Sequence, residues 1–197
     1  MNETLDYYDK NAESFANETA DIEFSEMQDT FLSMLKEGAS ILGFGCGSGR
    51  DTRYFLQKGY RVTALDGSAE LCRIAEEKTG IPVIQMDFND FGEQDHYDGI
   101  WACSSILHLP MQELKNVLIH MVKALHNDGI VYTSFKYGDF SGMRNGRYFT
   151  DFTENSFRAF IAEIEQLVIE KLWITNDVRP GRQDEKWLNT ILRTTRR

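Results

Sequence analysis

Apolar residues in this chain follow two rhythms. Short apolar runs at Ile41–Phe44, Arg61–Leu65, Val83–Met86, Ile100–Cys103 and Ile130–Phe135 read as buried strands. Between them the spacing lengthens to that of helices. Leu114, Val117, Leu118, Met121, Val122 and Leu125 share one helical face, and Pro110 opens that helix. Met27, Phe31, Met34 and Leu35 make a similar stripe, predicted as a helix capped by Ser25, running to about Lys36 and ended by Gly38. Further helices are predicted over Asp51–Lys58, stopped by Gly59, and from a Ser68 cap to Gly80. Asn127-Asp128-Gly129 is predicted to turn the chain into the strand at Ile130. Alternating strands and helices imply an α/β protein, with a parallel sheet covered on both faces.

The alternation breaks near the C-terminus. After a helix near Thr153–Ile164 come two β-like stretches, Leu167–Thr175 and Leu188–Thr194. The polar segment between them holds Arg179-Pro180-Gly181 and no helical pattern. Two strands joined without a crossover helix pair antiparallel. No repeat or low-complexity linker divides the chain, so one domain over 1–197 is expected, with an N-terminal helical segment (1–38) and a core (39–197).

Composition narrows the class. The 197 residues are 42% hydrophobic, with no apolar run long enough to span a bilayer. The first residues are polar and acidic, unlike a secretory signal. Cys46, Cys72 and Cys103 form no Cys-x-x-Cys, which favours a cytoplasmic protein without disulfide frame or metal site. A net charge of −10 disfavours nucleic acid as a partner and suits a cationic ligand.

The chemistry centres on Ile41–Asp51, where Gly43, Gly45, Gly47 and Gly49 fall at every second position between a strand and a helix start. Such a loop turns sharply and presents backbone N–H groups to a ligand. The dinucleotide fingerprint Gly-x-Gly-x-x-Gly fails in either register, because Ser48 or Arg50 occupies its third glycine. Asp66 ends the second strand, where a carboxylate can accept from both hydroxyls of a ribose. Cys46 reads as a small apolar filler, and Ser68 as a helix cap first and a ligand contact second.

Gly45-Cys46-Gly47-Ser48-Gly49, with Ala64–Ser68, Gln85–Phe88 and Tyr97–Ala102 in order, resembles class I S-adenosylmethionine (SAM) methyltransferases. The chain is similar to the small single-domain bacterial kind grouped with tellurite-resistance and ubiquinone-biosynthesis methyltransferases. The resemblance implies a Rossmann-like, seven-stranded, mostly parallel sheet with a C-terminal antiparallel hairpin and helices on both faces. It implies SAM as cofactor, with S-adenosylhomocysteine (SAH) as product and no metal. Gly45, Cys46, Gly47, Gly49, Arg50, Asp66, Gly67, Ser68, Asp87, Phe88 and Ala102 are then expected around the cofactor. Asp87 would meet the adenine amino group, or serve only as a turn residue, and Phe88 or Met86 would face the ring. One departure stands out: the family carries an acid where this chain has Gly43, implying weaker binding or a substitute contact.

The acceptor side is read from the residues. The segment after the fourth strand, Ser104–Pro110, lacks the Asn/Asp-Pro-Pro-Tyr/Phe signature of enzymes that methylate base or glutamine nitrogens, and the acid that catechol-type enzymes use to hold magnesium. His108 is the candidate catalytic residue, either a general base or a packing histidine. The long segment Lys136–Thr150 is expected to be a substrate loop. Within it Lys136, Arg144 and Arg147 would hold an anionic handle on a small-molecule acceptor, or form a solvated charge run, with Arg179 and Arg182 adding charge and Tyr148 expected at the substrate. Tyr7–Phe15 resembles a lid of the family, so Tyr8 or Phe15 would cover the sulfonium; a plain packing helix is the alternative. Together these features imply methyl transfer from SAM to a small acceptor, or binding of SAM without turnover.

Overall fold

In the computed structural model the described residues are 3–20 and 22–196. Met1, Asn2 and Asp21 of the N-terminal segment, and Arg197, lie outside them. Two helices come first, α1 (Glu3–Ala20) and α2 (Ser25–Leu32). The alternating core follows: β1 (Ser40–Phe44), α3 (Arg50–Gln57), β2 (Arg61–Asp66), α4 (Ala69–Thr79), β3 (Val83–Gln85), β4 (Tyr97–Ala102), α5 (Met111–Ala124) and β5 (Leu125–Lys136). A ribbon, β6 (Ser141–Arg144) and β7 (Arg147–Thr150), precedes α6 (Glu154–Ile161), β8 (Leu167–Asn176) and β9 (Lys186–Thr194).

Seven strands form one sheet in the order β3-β2-β1-β4-β5-β9-β8. The first five are parallel, and β9 runs antiparallel to both β5 and β8. The Rossmann-like sheet and its C-terminal hairpin are thus as predicted. Residues alternate between its faces, as the pleat requires. Ile41, Trp101, Ile130, Tyr132 and Ile191 pack with Phe31 of α2 and Phe55 of α3. Leu42, Phe44, Ile100, Val131 and Leu188 pack on the opposite face with α5 and α6. No helix among the described residues is long and apolar enough to cross a membrane.

Local differences have physical reasons. Ser25 does not cap α2: Phe24 holds the cap position, and the Ser25 backbone N–H donates to Glu23 Oε1 at 2.9 Å. The α2 helix ends at Leu32, short of Lys36, and α6 at Ile161, short of Ile164. Asn127-Asp128-Gly129 does not precede the fifth strand but lies inside it. Pairing jumps from Tyr97–Leu125 to Gly99–Ile130, and Asp128 takes φ 61° to absorb the extra residues.

The largest correction concerns Lys136–Thr150, which is no long loop. Arg144 pairs with Arg147 across an Asn145-Gly146 turn, both turn residues having positive φ (52° and 77°). That is the two-residue turn whose twist matches a β-hairpin. The ribbon lies beside α1 and the turn at Ile106–His108, at the C-terminal edge of the parallel strands.

Candidate active site

The site forms where β1 and β2 end. Beyond Phe44, Gly45 turns at φ 72°, and the N–H groups of Gly45 and Cys46 both donate to Leu65 O at 2.9 Å. This clamps the glycine loop against the end of β2. Asp66 completes the clamp. Its Oδ2 accepts from Gly47 N at 2.8 Å and its Oδ1 from Ser68 N at 2.9 Å. The carboxyl is only 8% exposed, and burial raises its pKa against those backbone bonds. Each oxygen keeps a lone pair for a further donor.

A cavity of about 230 Å³ opens beside this loop. Of the residues expected at the cofactor, Gly45, Cys46, Gly47, Arg50, Asp66, Gly67, Asp87 and Phe88 line it. Phe88 packs on Phe44 with ring centroids 4.6 Å apart. Asp87 Oδ1 accepts from Asn89 N at 2.9 Å, holding the short turn that carries Phe88. Cys46 packs against the cluster of Ala64, Cys72, Ala75 and Val83, and burial pushes its thiol pKa well up.

Three expected cofactor contacts lie away from the cavity. Gly49 caps α3, and a Cβ there would meet Thr79 Cγ2 at 2.8 Å, so its role is close packing on α4. Ala102 is fully buried in the core at the end of β4. Ser68 is also fully buried: its hydroxyl caps α4 by accepting from Leu71 N at 3.1 Å and donates to Asp9 Oδ1 of α1 at 2.6 Å.

Asp51 is a cavity residue that the sequence reading missed. Its oxygens accept from Gln28 Nε2 at 2.7 Å, Trp101 Nε1 at 2.8 Å and, as a fork, from Arg50 Nε and Nη2. Burial opposes the charge, but these donors hold the carboxyl below its ordinary pKa. Asp51 thus brings a carboxylate beside the glycine loop with its acceptor sites already filled, and Thr52 Oγ1 stands 3.1 Å from where a Gly43 side chain would begin.

The α1 helix crosses the cavity mouth. Leu5 covers Gly67, and Phe15 stands 3.2 Å from a would-be Cβ on Gly47. Tyr8 reaches deepest, its hydroxyl 2.8 Å from His108 Nε2. On the other side of that ring, His108 Nδ1 lies 2.6 Å from the Tyr148 carbonyl oxygen. A carbonyl only accepts, so Nδ1 carries the hydrogen, Nε2 is the acceptor and Tyr8 donates to it. Burial, aided by the nearby Arg147 charge, pushes the His108 pKa down to about 4, keeping the ring neutral at pH 7. His108 is therefore in the site, but both its nitrogens are engaged.

The cationic segment divides. Arg147 lines the cavity, its guanidinium 4.4 Å from the Tyr7 ring centroid and 5.2 Å from that of Phe149. Its Nη1 donates to Tyr8 Oη at 3.4 Å, while its buried Nε has no hydrogen-bond partner among the described residues. Arg144 instead turns out of the cavity to Asp151 at 2.6 Å and stacks on Phe140 and Phe149. Tyr148 contributes its backbone, and its hydroxyl meets Ser141 Oγ at 3.0 Å. Lys136 and Arg179 line the cavity but converge on buried Asp177, which also accepts from Trp187 Nε1 at 2.9 Å. Burial works against that carboxylate, yet these donors hold its pKa far below the usual range. Lys136 also pairs with Glu185, so these two cations are balanced by two carboxylates, while Arg182 lines the cavity beside them.

The methyltransferase domain family matches residues 41–129, from β1 to the start of β5. An uncharacterized methyltransferase of Staphylococcus carnosus is 27% identical over 190 residues, spanning 88% of this chain and 91% of its own. In fold, the chain is similar to the 1,6-didemethyltoxoflavin-N1-methyltransferase of Burkholderia thailandensis, solved with bound 1,6-didemethyltoxoflavin and SAH. The TM-score is 0.79 at 20% identity, over 98% of this chain and 87% of that one. It is also similar to an N-methyltransferase of Bradyrhizobium japonicum in complex with SAH, with a TM-score of 0.70 at 18% identity, over 95% and 100% of the two chains. The glycine loop, the sheet order and these likenesses agree, and together they support a class I SAM-dependent methyltransferase.

Proposed function

We propose that the protein transfers a methyl group from SAM to a small acceptor that carries an anionic group, with Arg147 as its anchor. The observation that carries this reading is that one cavity is lined both by Asp66 with the glycine loop and by a guanidinium whose buried Nε has no partner among the described residues. A buried donor without a partner costs stability, and a ligand carboxylate or phosphate would satisfy it. Likeness to neighbours solved with SAH supports the cofactor assignment.

SAM brings an activated methyl and its own leaving group, so the protein has mainly to position, desolvate and neutralise. Asp66 offers its two remaining lone pairs to vicinal ribose hydroxyls. Phe88 gives an apolar face to the adenine, and Asp87 lies beside it. The α1 helix, through Leu5, Tyr8 and Phe15, excludes water. Holding acceptor and methyl close and in line lowers the barrier by several kcal/mol in general.

Arg147→Ala should leave SAH affinity within about twofold while reducing turnover of carboxylate and phosphate acceptors roughly ten- to hundredfold, the worth of one charge-assisted bond. Arg144→Ala should spare turnover and lower thermal stability, because buried Asp151 loses its cation. The assay is SAH release from SAM with mixed small acceptors, beside a melting curve for each variant. Equal losses of turnover in both variants would refute the division between the arginines. SAH binding with no release on any acceptor would favour the binding protein without turnover.

A further inference from the structure

The contacts of Tyr8 restrict what the acceptor can be. Its hydroxyl hydrogen is committed to His108 Nε2 at 2.8 Å, because His108 Nδ1–H is already donated to the Tyr148 carbonyl. Arg147 Nη1 approaches the same oxygen from another side at 3.4 Å. The Tyr8 oxygen can therefore only accept from a cavity ligand. A ligand anion on Arg147 would lie within reach of this oxygen, since both residues line the cavity.

We propose that Tyr8 is the residue that meets the reacting atom, that His108 positions it by holding its hydrogen, and that the acceptor is a planar anion whose nucleophile bears a hydrogen, N–H or O–H. This rests on the reading of Arg147 as an anion anchor. Planarity follows from the aromatic cavity walls Tyr8 and Phe149 that flank the guanidinium. Carboxylate oxygens and thiolates, which have no hydrogen to give, gain nothing from a Tyr8 oxygen that only accepts.

The pair also supplies a route for the proton that such an acceptor loses. The acceptor hydrogen passes to Tyr8 Oη as the Tyr8 hydrogen passes to His108 Nε2. The resulting imidazolium keeps its Nδ1–H on the Tyr148 carbonyl and gives up the proton to water after release. Two charged or titratable side chains lie against His108, namely Tyr8 from α1 and Arg147 from β7, with Asp66 acting on Tyr8 from β2. Burial is the main force against the imidazolium, and Arg147 adds to it. An anion on Arg147 cancels that second contribution, so the histidine gains basicity when the acceptor is bound.

The test uses SAH-saturated protein titrated with four probes: benzoate and its 3-amino, 3-hydroxy and 3-methoxy derivatives. On the wild type the amino and hydroxy compounds should bind roughly three- to tenfold tighter than the methoxy compound, the worth of one neutral hydrogen bond. Tyr8→Phe should erase that difference. His108→Leu should narrow or reverse it, because the freed Tyr8 hydrogen can then be donated to the methoxy oxygen. A merely structural role for His108 would weaken all four probes alike. Unchanged ranking in Tyr8→Phe overturns the inference while leaving the anion anchor intact. Failure of all four carboxylates to bind overturns the anchor and the inference with it. Should His108→Leu not fold, Tyr8→Phe, which removes a single atom, decides.

Discussion

Asp66→Ala is expected to weaken SAH binding roughly hundredfold, about 3 kcal/mol, in an otherwise folded protein. Two losses combine. The ribose hydroxyls lose their acceptors, and the N–H groups of Gly47 and Ser68, now held at 2.8 and 2.9 Å, are released, so the loop loosens. The sign of the pH effect follows from the same burial. The carboxyl pKa is raised in the folded chain, and a protonated Asp66 gives up acceptor capacity. SAH affinity should therefore begin to fall, as pH is lowered, above the range where an ordinary aspartate titrates. Calorimetric titration across pH checks both statements. Unchanged affinity in the alanine variant would defeat the assignment of β2's terminal acid.

Gly45→Ala should be the more damaging change. The new Cβ would stand 2.4 Å from Ser105 Cβ and 2.9 Å from Phe88 Cζ. The backbone there has φ 72°, where any side chain is strained. Overpacking costs about 1–3 kcal/mol and the left-handed conformation about 1–2 more. Denaturant unfolding should show a loss of about 2–5 kcal/mol, with SAH binding reduced more than tenfold as Phe88 is displaced. Adding Ser105→Gly should recover only part of the steric loss, because the Phe88 contact remains and the buried Ser105 Oγ bond to Phe44 O at 2.7 Å is lost. An alanine variant as stable as the parent would mean that the loop has room the structure does not give it.

Much of this was legible in the chain because it is local. Alternating apolar runs and helical stripes located the sheet, and the absence of a helical pattern after Leu167 fixed the antiparallel hairpin. The glycine register separated this loop from a dinucleotide site, and Asp66 stood at a strand end. What escaped depends on contacts between distant segments. Tyr8 and His108 are a hundred residues apart, and nothing near either one announces the other. Lys136 and Arg179 read as free cations in the sequence because their partners, Asp177 and Glu185, lie 41 and 49 residues beyond Lys136 in a polar turn with no pattern of its own.

Arg144 and Arg147 form one cross-strand pair, yet one turns to Asp151 and the other into the cavity. That division could not be read while the segment was taken for a loop. A signal was present, since Asn-Gly between aromatic and charged residues marks a tight hairpin. Nothing local to Asp51 marks it beyond its place at a helix start, but Trp101 and Gln28, from two other elements, turn it into a buried carboxylate beside the glycine loop.

The central claim is that this cavity is built for SAM. Parallel calorimetric titrations of the wild-type protein with SAH and with NADH test it most directly. The account predicts one SAH site per chain, saturating at micromolar concentrations, and no heat from NADH. Binding of NADH in preference to SAH, or of neither, would contradict it.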